Sequence, residues 1–130
     1  MPNKFNARIL VADDNRFVLN LVCRMLSALG CETTGTIDGL EALNRFQRDG
    51  FDLVLTDLQM PIMDGWELAE RIKSLAPNVP VIAMTGMDRD EVLERQRKSA
   101  LDHVVFKPLN LDALDNALAS AMEPRHLNRA

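Results

Sequence analysis

No apolar run in this chain is long enough to span a bilayer. The longest, such as Val79 to Met84, stop far short of the roughly eighteen residues a membrane helix needs. Cysteine is scarce: Cys23 and Cys31 lack the C-x-x-C spacing of a metal clip, and buried thiols in a reducing setting are the simpler reading. Met1 to Ala7 carries no apolar signal core, so a cytoplasmic location is expected. Basic charge is not in excess, and a net charge of −4 leaves no electrostatic footprint for nucleic acid. Glycine and proline, six of each, are too few for a fibre or a disordered linker. What is left is a folded chain of 130 residues with room for one core. A single domain over 1–123 is expected, followed by a short tail at 124–130 and no output domain.

Four short apolar runs stand out: RILVA (8–12), FDLVLTD (51–57), VPVIAMT (79–85) and HVVF (103–106). Cys31 to Gly35 supplies a fifth, less apolar strand. Between the runs lie helical patterns. Val18, Val22, Met25, Leu26 and Leu29 recur at three and four residues, and Gly30 follows where a left-handed cap is wanted. Leu40, Leu43 and Phe46 form a second stripe ending near Gly50. Asp64 caps a third helix carrying Trp66, Leu68, Ala69, Ile72 and Leu75, which Pro77 closes. A fourth helical segment covers Asp88 to Leu101, and a last one follows Asn110 with Leu111, Leu114, Leu118 and Met122 facing inward. Continuously apolar strands are buried on both faces, and intervening helices make right-handed parallel crossovers. The expected class is α/β, a five-stranded parallel sheet between helices, with ligands bound at the carboxyl ends of the strands.

Polar residues gather at those ends. Asp13 and Asp14 follow the first strand, Asp57 ends the third, Thr85 ends the fourth, and Lys107 with Pro108 follows the fifth. Taken singly, each has a plain structural role as a cap or turn residue; together they point to one site. Carboxylates about 4 Å apart repel by about 4 kcal/mol per pair at an effective dielectric near 20, so a hard divalent cation is expected among them. Magnesium suits a site of few carboxylates that stays open to phosphate oxygens. Asp57 is the candidate nucleophile, able to accept a phosphoryl group as an acyl phosphate. Lys107 and Thr85 would offset and hydrogen-bond the phosphoryl oxygens.

The strings ILVADDN, LTDLQMPIMDGWEL, VIAMTG and VFKPL, in this order and spacing, resemble the receiver domain of two-component response regulators over about residues 7 to 122. The resemblance implies a flavodoxin-like (βα)5 doubly wound sheet of strand order 2-1-3-4-5. It implies Asp57 as phosphoacceptor, and Asp14, Asp13 (through water), Asp57 and the backbone carbonyl of Gln59 around Mg2+. Thr85 and Lys107 would contact the phosphoryl group. It further implies a cis bond before Pro108, a loop shaped by Met60, Pro61 and Gly65, and room beside Thr85 left by Gly86. The implied partner is a histidine kinase, hybrid kinase or phosphotransfer protein, with the downstream partner unidentified. Oligomeric state stays open, a dimer through the fourth and fifth helices being the candidate assembly.

Some positions depart from the family pattern. Val104 stands three residues before Lys107, where Tyr or Phe is usual, and Phe106 is expected on the opposite face of the strand. Gln96 and Arg97 replace apolar residues in the fourth segment, which should be weakly anchored. Trp66 is expected to be a partly exposed packing residue. The competing reading is a magnesium-dependent aspartyl-phosphate phosphohydrolase acting on external substrates. It is disfavoured by Gln59, which stands two residues after Asp57 and cannot act as acid or base. The chain is therefore expected to be a switch rather than an enzyme on other molecules.

Overall fold

The computed structural model describes residues 5–127. Strands and helices alternate strictly: β1 (Arg8–Ala12), α1 (Arg16–Ala28), β2 (Glu32–Thr36), α2 (Gly39–Asp49), β3 (Leu53–Asp57), α3 (Gly65–Leu75), β4 (Val81–Thr85), α4 (Arg89–Gln96), β5 (His103–Phe106) and α5 (Leu111–Leu127). The strands pair in parallel in the order β2-β1-β3-β4-β5, the doubly wound flavodoxin-like arrangement expected from the sequence. All residues of β3 and β4 are buried, as the unbroken apolar runs require. β2 is an edge strand of mixed burial, which explains its weaker apolar signal.

Alternation along the strands divides the core into two layers. Ile9, Val11, Leu53, Leu55, Ile82, Met84 and Val105 pack with α1 and α5; Leu10, Ala12, Val54, Val81 and Ala83 pack with α2 and α3. Val104 and Phe106 both join the second layer, paired in register with Ala83 and Thr85. Phe106 is therefore on the same face as Val104, not the opposite one, because residues two apart share a face.

An Asx side chain begins every helix. Asn15, Asp38, Asp64, Asp88 and Asn110 each accept from a backbone N–H of the following turn, at 2.7 to 3.2 Å. Each such cap stabilises its helix by about 1 kcal/mol. Gly30 ends α1 at φ 91°, the left-handed conformation that only glycine adopts freely.

Several inward assignments need correction. Leu40, Leu75 and Leu111 are exposed, since each lies at a helix end where the apolar stripe has turned away from the sheet. Trp66 is buried, 7 % exposed, with the guanidinium of Arg95 over its ring at 4.4 Å. α4 is shorter than the expected segment: it stops at Gln96, and turns and bends carry the chain to Leu101. Only Val92 of α4 is buried, as weak anchoring requires. α5 continues past residue 123, where the tail was expected to begin; residues 128–130 lie outside the described range. Cys31 is buried and Cys23 half-buried, both free thiols, and burial pushes Cys31 up to about 11. Among the described residues no helix is long and apolar enough to cross a membrane.

Candidate functional site

β1, β3, β4 and β5 are neighbours in the sheet, so the residues at their carboxyl ends share one edge. Asp13 follows β1 and is wholly buried, Asp57 closes β3 and is buried, and Asp14 is exposed beside them. Carboxylate oxygens of these three lie within 4.8 Å of one another. The Lys107 Nζ reaches across from β5, 3.2 Å from Asp13 Oδ2 and 3.4 Å from Asp57 Oδ2. The Lys107–Pro108 bond is cis.

Each buried carboxylate has divided duties. Asp57 Oδ1 accepts from the Leu58 N–H at 2.7 Å and more weakly from the Gln59 N–H at 3.4 Å, while its Oδ2 faces Lys107. Asp13 Oδ1 accepts from the Asn15 N–H at 2.9 Å, which leaves Oδ2 for Lys107. Burial pushes the Asp57 carboxyl above its ordinary range; Lys107 opposes that shift, Asp13 adds to it, and the Gln59 and Leu58 N–H groups oppose it.

Three carboxylates and one ammonium leave a formal excess of two negative charges when all are ionised. An all-oxygen donor set with that excess, open on the Asp14 side, fits a hard divalent cation. The acidic pocket can therefore hold a metal ion.

Thr85 is wholly buried at the end of β4, and its hydroxyl accepts from the Met87 N–H at 3.0 Å. Its carbonyl accepts from the Lys107 N–H at 2.7 Å, tying β4 to the residue that carries the cation. Below the site, the Gly65 N–H donates to the Leu58 carbonyl at 3.0 Å. A Cβ at Gly65 would come within 2.2 Å of the Asp57 carbonyl oxygen, so only glycine lets α3 start this close to β3. At Gly86, by contrast, a Cβ would meet nothing within 4 Å beyond its own chain neighbours.

A groove of about 500 Å³ opens from the acidic pocket, lined by Asp14, Gln59, Met60, Trp66, Met87 and Arg95. Met87 and Arg95 were not singled out from the sequence. Nothing marks them there, since a charged residue late in a polar helix reads as solvated. Their place became visible only once α3 and α4 stood side by side.

A family model described as the response regulator receiver domain matches residues 9–119. The sensor histidine kinase RcsC of Salmonella typhi is 37% identical over 122 residues, which is 94% of this chain and 13% of that protein. The sensor protein EvgS of Escherichia coli strain K12 is 31% identical over 127 residues, 98% of this chain and 10% of that protein. This chain thus spans about a tenth of the length of such curated relatives. Among solved structures, a response regulator receiver domain protein from Clostridium thermocellum superposes with a TM-score of 0.85 at 28% identity, covering 93% of this chain and 98% of that one. Fold, sequence pattern and the gathered strand-end residues agree with these matches: the chain belongs to the receiver domain family of two-component response regulators.

Proposed function

We propose that this receiver takes a phosphoryl group onto Asp57 from a phosphohistidine of a histidine kinase, hybrid kinase or phosphotransfer protein, and changes partner binding as a result. The observation that carries the reading is Asp57 itself, a buried carboxylate held by a backbone N–H on one oxygen and facing Lys107 with the other. An Asp57 oxygen attacks phosphorus in line with the departing imidazole nitrogen. One P–N bond breaks, one P–O bond forms, and the imidazole takes up a proton as it leaves. The Lys107 ammonium, set between Asp13 and Asp57, balances charge on the transferring group, and the Thr85 hydroxyl donates to one of its oxygens.

Mg2+ would be held by Asp13, Asp14, Asp57 and the backbone carbonyl of Gln59, and when bound it supplies positive charge to the phosphoryl oxygens. The chain's own part is to fix those donors at the sheet edge. It catalyses only its own phosphorylation and dephosphorylation. Gln59 offers no acid or base for turning over external phosphate esters. A donor of this kind and free Mg2+ are both met in the cytoplasm, which is the proposed location.

Incubation with acetyl phosphate and Mg2+ should add one phosphoryl group to the wild type and none to Asp57→Asn, read by intact-mass spectrometry. Equal labelling of both would remove Asp57 as the acceptor.

A further inference from the structure

α4 has almost no apolar hold on the molecule, since Val92 is its one buried residue. Cationic side chains at its two ends hold it instead. Arg89, its first residue, places its guanidinium over the Phe106 ring at 4.7 Å, and Arg95, in its last turn, lies over Trp66 at 4.4 Å. Such contacts depend on the cation staying over the ring face, so a lateral shift of the ring weakens them.

Both rings belong to segments tied to the phosphorylation site. Phe106 pairs in register with Thr85, on the same face of the sheet, and immediately precedes Lys107. Trp66 follows Gly65, whose backbone lies against the Asp57 carbonyl. The segment leading into α4 is held from the same place, because the Met87 N–H donates to the Thr85 hydroxyl. Val104, on the same face as Phe106, has no ring to offer α4.

We infer that Phe106 and Arg89 form the coupling that carries the state of Asp57 to α4, with Trp66 and Arg95 as its second clasp; this rests on the reading of Asp57 as phosphoacceptor. When a phosphoryl group on Asp57 engages Thr85 and Lys107, the backbone on either side of Phe106 and Met87 moves with them. The ring then slides under the Arg89 guanidinium, and α4, with a single buried residue to retain it, repositions as a unit. Phe106 and Arg89 are positioning residues here and touch no reacting atom.

The test compares amide chemical shifts of the full chain, with Mg2+ alone and with Mg2+ plus beryllofluoride as phosphoryl mimic, in wild type, Arg89→Gln, Arg89→Lys and Phe106→Leu. Labelling of each by acetyl phosphate is followed by intact mass. Expected are normal labelling throughout, a mimic-dependent shift of residues 89–96 in wild type, its loss in Arg89→Gln and Phe106→Leu, and its recovery in Arg89→Lys. A merely structural role would alter the spectra before the mimic is added and leave the response to it intact. If labelling is normal and residues 89–96 respond as in wild type in Arg89→Gln, the coupling is overturned while the reading of Asp57 stands. If wild type takes no label, the reading of Asp57 falls and the coupling falls with it. Should Phe106→Leu fail to fold, the exposed Arg89 variants decide alone.

Discussion

Ile62 holds a β-branched side chain at φ 73°, and the Met63 N–H donates across it to the Pro61 carbonyl at 2.8 Å. Together these describe the strained form of the γ-turn, in a region β-branched residues rarely enter. The side chain is 75% exposed, so it gains little burial in exchange. Ile62→Asn should therefore stabilise the fold by about 1 kcal/mol, because asparagine tolerates the left-handed region. The urea midpoint is the measurement, and an unchanged or lower midpoint would mean that the turn costs nothing. This strain was not legible in the sequence, where an isoleucine between proline and methionine gives no hint of a positive φ. The strand-end residues were legible for the opposite reason. Asp13, Asp57, Thr85 and Lys107 each close or follow a conspicuous apolar run, and the strand order brings those ends together.

The helices divide into well-held and poorly held elements. α3 buries Trp66, Leu68, Ala69 and Ile72, and α1 buries Leu19, Val22 and Leu26, whereas α4 buries Val92 alone. Native-state hydrogen exchange should accordingly be faster across α4 than across α1 or α3. Asp88→Ala should accelerate it further, since loss of the cap on the Glu91 N–H costs about 1 kcal/mol. Equal protection across the three helices would show that the arginine clasps hold α4 as firmly as a buried stripe. The weak apolar pattern of this segment was readable in advance, and so was the Asx cap of α3. The clasps were not, because each joins residues 17 or more positions apart whose meeting depends on packing between elements. The exposure of Leu40 and Leu111 was missed because a stripe of three or four apolar residues fixes the face of a helix only in its middle turns.

On the scale of the whole molecule, the gathered carboxylates should make stability depend on pH and on any cation they hold. Asp57 is pushed above its ordinary range mainly by burial, so the folded chain binds its proton more tightly than the unfolded chain does. Its contribution is thus most favourable below the ordinary aspartate pKa of about 3.9 and is lost as pH rises through the folded value. In chelator at neutral pH, Asp57→Asn should melt above the wild type, and the gap should close on acidification; a gap that widens towards acid would reverse the sign. Saturating Mg2+ should raise the wild-type melting point, by about 2.7 kcal/mol of stability at a hundredfold excess over Kd, and should do much less for Asp14→Ala. An equal rise in Asp14→Ala would place the cation elsewhere. The sheet margins bear on a different property. β2 offers solvent a short edge of threonines, a glycine and the charged Glu32, and β5 at the other margin is only four residues long. Edges of that kind are poor templates for a foreign strand. A sheet trimmed in this way gives a strand from a second molecule little to pair with, so concentrated solutions of the chain should stay free of strand exchange.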